Sequence, residues 1–324
     1  KYVVIKMNKQ KIVIIGLGGI ARRHIQAIFN LKIEYEIIGY DINKESIENT
    51  KQFLKNENIH IKNLEMIESY DNTINKIDSK TIVIIATSAD VRKQIIEDVI
   101  SKNPKAIITE KPFTQNIEDY NKIIELSKTN KIPIYLNFRR HYYKLYMQIK
   151  SILNTKENVN INIQIKKRGF ACTGIHFIEL ATWLLDAKNY EIQYSETFEP
   201  YEQKRKGFFD FSANMIIKFD DMHEVQINFD NEEKEKIEFV EINLKNEIYK
   251  IFDFKEKYLV IDNKLNIKEK DFVIMHVSMI TDETIMEILE NKKPKMPNIE
   301  ESFLSHKILF EIMKENGLDE LNIT

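Results

Sequence analysis

An apolar run that breaks into glycines and then into a helix-like stretch constrains this chain more than any other feature. Residues 12–15 (Ile-Val-Ile-Ile) lead into Gly16-Leu17-Gly18-Gly19-Ile20-Ala21. A strand entering a helix through Gly-x-Gly-x-x-Ala is a turn on which backbone can close around a pyrophosphate. Gly16 permits the tight turn, Gly18 lets the main chain approach phosphate oxygens, and Ala21 keeps helix and strand close. Gly19 and Ile20 open the helix, whose unbonded N–H groups and positive dipole end favour an anion.

A second apolar run, Tyr35–Tyr40, ends in Asp41, about 20 residues beyond Ala21, the offset of a ribose-binding acid. A carboxylate there accepts hydrogen bonds from the ribose hydroxyls of NAD and repels the 2′-phosphate of NADP. Ile42 and Asn43 follow it rather than an arginine, so NAD is favoured over NADP, with Lys44 the nearby cation that weighs the other way.

The first part of the chain alternates between short apolar runs and helical stretches. Residues 12–15, 35–40, 81–86, 106–109 and 133–137 read as strands. Residues 20–29, 44–54, 91–101 and 117–127 read as helices. Near-continuous apolar strands separated by helices imply a parallel sheet covered on both faces. Only residues 56–78 resist parsing.

Beyond residue 140 the pattern changes to period two. Ile161, Ile163 and Ile165 alternate with polar residues, as do Phe209, Phe211, Ala213, Met215, Ile217 and Phe219. Asp220 and Asp221 then suggest a turn into Val225, Ile227 and Phe229. Such alternation marks antiparallel strands with one buried face. Helices are expected at 175–185, 278–290 and 300–314. The chain thus reads as an α/β Rossmann domain, a doubly wound parallel sheet, over residues 7–137. An α+β domain with an open, mostly antiparallel sheet follows over 138–324. Residues 1–6 precede Met7 and read as an extension.

Composition narrows the function classes. The 324 residues suit two domains. Acidic and basic residues nearly balance, 50 against 48, which argues against a nucleic-acid footprint. Cys172 is the single cysteine, so no intrachain disulfide can form, and an isolated thiol fits a reducing compartment. No apolar run approaches the roughly 20 residues that span a bilayer, and the N-terminus lacks the apolar core of a signal peptide. The expected location is cytoplasmic, with no membrane partner. Seven histidines and one cysteine show no paired metal-ligand spacing, so no metal is expected.

Open α/β sheets bind ligands beyond the carboxyl ends of their strands, and three segments are expected to converge there. Thr87 and Ser88, after the strand at 81–86, are small enough for a dinucleotide to pass close. Glu110-Lys111-Pro112 follows the strand at 106–109. A lysine in that place can bond a substrate hydroxyl and lower its pKa, or be an ordinary loop residue. In Gly174-Ile175-His176-Phe177-Ile178-Glu179, a helix start would put His176 and Glu179 on one face, with Leu180 and Trp183 behind them. A histidine can exchange a proton at physiological pH, or sit buried and satisfied in an apolar helix.

The order Gly-x-Gly-x-x-Ala, acid, Glu110-Lys111-Pro112, Asn137-Phe138-Arg139-Arg140, then Gly174-x-His176 resembles the Gfo/Idh/MocA family of NAD(P)-dependent sugar and polyol oxidoreductases. The resemblance runs over nearly the whole chain. It implies a Rossmann domain and an α+β domain, and a homodimer or homotetramer formed through the second sheet. It places Lys111 on the family's catalytic lysine and His176 on its acid/base histidine. Arg140 matches a recurrent arginine near the substrate pocket. Asn137, Arg140, Cys172 and Glu179 become candidate substrate contacts, and Gly16, Gly18, Gly19, Ile20, Ala21, Asp41, Thr87, Ser88, Glu110 and Lys111 candidate cofactor contacts.

There are departures. Cys172 and Glu179 stand where the family usually has aspartates, Ser88 where proline is common, and Arg92 where histidine is common. The segment before Gly174 is very short, which implies a pocket that is more open or is completed by another subunit. The stretch 296–301 resembles relatives linked to surface-polysaccharide sugar synthesis. The resemblance implies an NAD-dependent oxidoreductase acting on a secondary alcohol of a sugar or nucleotide sugar. The alternative, motivated by Cys172, is an NAD-binding sensor of the same fold that transfers no hydride.

Overall fold

A computed structural model describes residues 9–231 and 237–323; the suggested extension at 1–6 lies outside them. The chain divides into two compact units. The first takes residues up to Thr114, Glu118–Arg139 and His276–Glu301. The second takes Gln115–Ile117, Arg140–Met275 and the chain from Ser302 onward.

The first unit holds six parallel strands: β1 (Gln10–Ile15), β2 (Tyr35–Tyr40), β3 (Leu64–Ile67), β4 (Ile82–Ile85), β5 (Ala106–Thr109) and β6 (Ile134–Leu136). Their order is β3-β2-β1-β4-β5-β6. Helices α1 (Gly19–Ile28), α2 (Lys44–Asn56), α3 (Tyr70–Ile74), α4 (Ala89–Ile100) and α5 (Ile117–Asn130) connect them. Ile12, Val13, Ile14 and Ile15 and their β4 neighbours Ile82, Val83, Ile84 and Ile85 are fully buried, because helices cover both sheet faces. The strand order reverses between β1 and β4, and there the carboxyl ends open a crevice for a ligand.

The segment expected to belong wholly to the second domain, 138–324, is divided. His276–Glu301 belongs to the first unit. Edge strand β6 leaves backbone groups to satisfy, and this segment satisfies them. Leu136 N donates to Pro297 O at 2.9 Å, and Ile299 N donates to Ile134 O at 3.1 Å. Helix α9 (Thr281–Leu289) is part of the segment and packs on α1, with Ile280 and Ile285 buried.

The second unit is built on an eight-stranded sheet. After α6 (Lys144–Ile152) come β7 (Asn160–Lys166), α7 (Phe170–Thr173), α8 (Ile175–Leu185) and β8 (Tyr190–Thr197). The strands that follow are β9 (Tyr201–Glu202), β10 (Phe209–Asp210), β11 (Ala213–Phe219), β12 (His223–Asp230), β13 (Glu238–Asn243), β14 (Glu247–Phe252), β15 (Lys257–Asp262) and β16 (Ile267–Asp271). Helix α10 (Phe303–Glu315) comes last. The order is β16-β15-β14-β13-β7-β12-β11-β8. Neighbours are antiparallel except β7 and β12. Ile161, Ile163, Ile165, Val225, Ile227 and Phe229 face inward, where the rings of Phe170 and Phe177 meet Phe229. The opposite face carries Gln226 beside Asn162 and Asn228 beside Gln164.

The alternation from Phe209 to Phe219 reads as one strand, but it is two. Asp210 is buried and accepts from Ala171 N at 2.7 Å and Phe211 N at 2.9 Å. That inward turn separates β10, which pairs with β9, from β11.

Candidate active site

The glycine turn sits at the end of β1 as its spacing requires. Gly16 has φ +89°, and a Cβ there would lie 3.0 Å from backbone atoms of Ala86 and Thr87. Gly16→Ala is therefore expected to destabilise the protein by about 1–3 kcal/mol, read as a lower denaturant midpoint. A Cβ on Gly18 would meet nothing within 4 Å, and no side chain caps the N-terminus of α1. The first-turn N–H groups of α1 are thus left for an anion. Thr87 Oγ1 is buried and lacks a hydrogen-bond partner among the described residues.

Asp41 is held by two loops at once. Its Oδ2 accepts from Leu17 N at 2.7 Å and its Oδ1 from Asn43 N at 2.8 Å. Each oxygen keeps a second lone pair for a ribose hydroxyl. Thr50 on α2 anchors the same turn by donating to Leu17 O at 2.9 Å. Lys44 pairs with Glu68, 2.7 Å away, so it already has an anionic partner. Open cradle, orphaned hydroxyl and oriented carboxylate fit a dinucleotide. Asp41→Ala is expected to weaken NAD binding and narrow its preference over NADP, measured by titration with each.

Beyond β5, the Lys111–Pro112 peptide bond is cis. The loop is clamped by Arg92 of α4. Its guanidinium donates to the carbonyls of Glu110 (2.8 Å), Phe113 (3.2 Å), Pro112 and Thr87. Arg92 thus ties the strand-end loops of β4 and β5 together. Lys111 itself is partly buried.

Glu110 points into the unit. Its Oε1 accepts from Asn137 Nδ2 at 2.6 Å and lies 3.2 Å from His24 Nε2. Burial alone would raise the Glu110 carboxyl pKa. The His24 hydrogen bond and charge, the Lys111 charge and the Asn137 amide outweigh it and hold the pKa below the ordinary value. A carboxyl depressed on folding contributes stability above its unfolded pKa of about 4.3 and loses it as pH falls through the folded value. Glu110→Gln is expected to flatten that acid limb in denaturation measured against pH.

In the second unit, α8 carries His176, partly buried, and Glu179, buried. Glu179 Oε1 is 2.6 Å from His141 Nε2, and the His141 ring stacks on Trp183 with centroids 4.1 Å apart. Glu179 Oε2 is buried without a hydrogen-bond partner among the described residues. Cys172 lies on α7, partly exposed. Ser88 is the N-cap residue of α4 but makes no capping bond with its side chain.

Arg140 departs from its expected place as a substrate contact. It is 3% exposed, and Nη2 lies 2.8 Å from both Glu238 Oε1 and Asp253 Oδ2. Its guanidinium lies over the Phe177 ring at 4.1 Å. Burial pushes the Glu238 carboxyl up, Arg140 pulls it down, and Asp253 adds to the push; the balance is a raised pKa. Arg140 is therefore an internal brace.

The first unit thus brings Gly16, Asp41, Thr87, Glu110 and Asn137 to the carboxyl ends of its strands. The sequence left His24, His141, Glu238 and Asp253 without roles. His24 carries one signal, a polar side chain on the apolar stripe formed by Ala21, Ile25 and Ile28. The carboxylates around Arg140 carry none, since each sits in an ordinary strand or turn.

Residues 10–138 match a family model described as an oxidoreductase family with an NAD-binding Rossmann fold, Gfo/Idh/MocA. Glucose-6-phosphate 3-dehydrogenase of Bacillus subtilis is 28% identical over 153 residues, 47% of this chain. The match spans only 40% of that relative's length. Two solved structures share the fold across both units. A dehydrogenase from Clostridium difficile aligns with TM-score 0.73 and 19% identity, over 95% of this chain and 100% of its own. UDP-N-acetylglucosamine 3-dehydrogenase of Acidithiobacillus ferrooxidans aligns with TM-score 0.71 and 11% identity, over 97% and 100%. Among the described residues, no helix is long and apolar enough to cross a membrane. Nor do three His, Cys, Asp or Glu side chains gather to hold a metal ion.

Proposed function

We propose that this protein is an NAD-dependent dehydrogenase that oxidises a secondary alcohol of a sugar or nucleotide sugar, or reduces the matching ketone. The observation that carries this reading is Lys111, set at the carboxyl end of β5 on a loop that Arg92 clamps through three carbonyls, those of Glu110, Pro112 and Phe113. Such a lysine can meet a substrate hydroxyl at the strand ends where Asp41 and Thr87 serve the dinucleotide. Bound NAD supplies the hydride acceptor.

Lys111 orients the hydroxyl and stabilises the alkoxide that develops on it. For the second unit, an acid/base role is proposed for His176, and hydroxyl contacts for Cys172 and for Glu179, whose other oxygen is fixed by His141. The names of the relatives, one a sugar-phosphate and one a nucleotide-sugar dehydrogenase, support a sugar substrate.

The test is NADH formation across a panel of hexose phosphates and nucleotide sugars, glucose 6-phosphate and UDP-N-acetylglucosamine among them. Cys172 in place of a carboxylate favours a second reading, an NAD-binding regulatory protein. Tight NAD binding with no NADH from any member of the panel would select it. We further propose a cytoplasmic location, where the lone thiol stays reduced. Self-association through the outward face of the second sheet is also proposed, where Phe239 and Phe252 lie among amides and charges; sedimentation velocity reads it.

A further inference from the structure

The outward face of the second sheet carries a cavity of about 650 Å³, set between strands β7, β11 and β12 and the strap 198–200 that joins β8 to β9. Its floor is a row of carboxamides. Gln164 stands in register with Asn228, and Asn228 with Asn214, so each of three adjacent strands offers one amide to the same face. At a strand spacing of about 4.8 Å the row is about 10 Å long. Neighbouring amides can bond one another, yet none of these three makes a side-chain hydrogen bond among the described residues. The inward face of the same strands is a different place. There Phe170 of α7 and Phe177 of α8 pack on Phe229, so the sheet lies between the amide row and the helix that carries His176 and Glu179.

The lining selects an occupant. A carboxamide offers an acceptor oxygen and two donor hydrogens, which match a pair of adjacent hydroxyls, each both donor and acceptor. Three amides in a row match a ring that carries hydroxyls around its edge. The wall supplies what the flat of such a ring needs. Phe198 is 45% exposed, and its N donates to Ser212 O at 3.0 Å, which pins the strap. A phenyl ring held there presents a flat apolar surface to the C–H face of a sugar. The charged side chains around the cavity are one cation, Lys166, against two carboxylates, Glu199 and Asp230. That balance disfavours a phosphate or a sugar acid, and the occupant is neutral.

We propose that this cavity binds a neutral pyranose, whose hydroxyls are held by Gln164, Asn228 and Asn214 while its ring stacks on Phe198. It is a sugar site apart from the one proposed for the reaction. The pyranose is a free hexose or the end of a longer glycan, which share this chemistry. None of these residues serves the dehydrogenase reading, so the two stand or fall separately. Phe239 continues the row beyond Gln164 and begins the patch proposed for self-association, so a second copy of the chain is the competing occupant.

Saturation-transfer NMR of the full chain tests it with methyl β-glucopyranoside, methyl β-galactopyranoside and maltotriose, and with adenosine as a flat neutral ligand that is not a sugar. At least one sugar is expected to bind with Kd of about 1–10 mM, and its ring C–H protons to receive the strongest transfer. Asn228→Leu and Phe198→Ala are each expected to weaken that binding about tenfold and to leave NAD affinity unchanged. They sit on different elements, so if one fails to fold the other still reads. Lys111→Ala is expected to bind the sugar as the parent does. Tighter binding of maltotriose than of the monosaccharides identifies a glycan end, and equal binding a free hexose. No transfer to any of the three sugars at about 20 mM overturns the proposal. So does sugar binding lost in Lys111→Ala and kept in Asn228→Leu, which places the sugar at the strand ends of the first unit. Adenosine bound through Asn228 with no sugar bound makes the cavity a nucleobase site and overturns it too. Sedimentation velocity covers the last case. An assembly that Asn228→Leu disperses and that no sugar disturbs makes the amide row a contact between copies, against the proposal.

Discussion

Replacing Lys111 by alanine is expected to lower kcat by about a thousandfold while leaving NAD affinity unchanged. The expectation follows from where the side chain stands. Its backbone is fixed by the Arg92 clamp on Glu110, Pro112 and Phe113, so truncation removes an ammonium and not a fold element. Glu110, its neighbour in sequence, is turned inward and paired with His24. Lys111→Arg is expected to recover little, because a planar guanidinium cannot place one charge where a compact ammonium stood. Single-turnover NADH formation with calorimetric NAD titration separates the two effects. Parental kcat in Lys111→Ala would remove the lysine from the chemistry. Equal loss of turnover and NAD affinity would make it a cofactor anchor instead.

Arg140→Met is expected to cost about 3–5 kcal/mol of stability, because it leaves Glu238 and Asp253 buried without their cation. The guanidinium serves both carboxylates at 2.8 Å, and Arg168, 3.5 Å from Glu238, is only a distant substitute. Urea denaturation reads the loss. Glu238→Gln keeps an acceptor for Arg140 and removes one of the competing charges, so it is expected to cost much less. A substrate-binding arginine would behave in the opposite way. Arg140→Met would then keep its denaturation midpoint and raise KM.

The contrast at Arg140 shows what a linear pattern can and cannot carry. Strands β1 and β4 were legible because both their faces are buried, and uninterrupted isoleucine and valine runs announce that; β2 and β5 show the same signal only over a central Ile-Ile pair. Helix α8 was legible from its apolar stretch and its glycine start. Edge strand β3 was not, because Leu64–Ile67 is short, half-buried and interrupted by Glu65. Strand β16 is exposed throughout and carries no alternation to detect.

The positions of the residues proposed for the cofactor were legible because they follow strand ends at fixed offsets. Their support was not. His24 and Thr281 are 257 positions apart, and His141 and Glu179 are 38 apart. No local spacing encodes such pairings. They exist because helices pack, and only the fold reveals which polar side chains meet.

The most direct measurement is isotope transfer. Glucose 6-phosphate and UDP-N-acetylglucosamine, each deuterated on the sugar ring carbons, are incubated with the protein and NAD, and the recovered dinucleotide is weighed by mass spectrometry. The expected result is reduced dinucleotide carrying one deuteron from a sugar carbon, in the parent and not in Lys111→Ala. Tight NAD binding with no deuterated NADH from either sugar, or from the wider panel, would contradict the assignment of this chain as a sugar dehydrogenase.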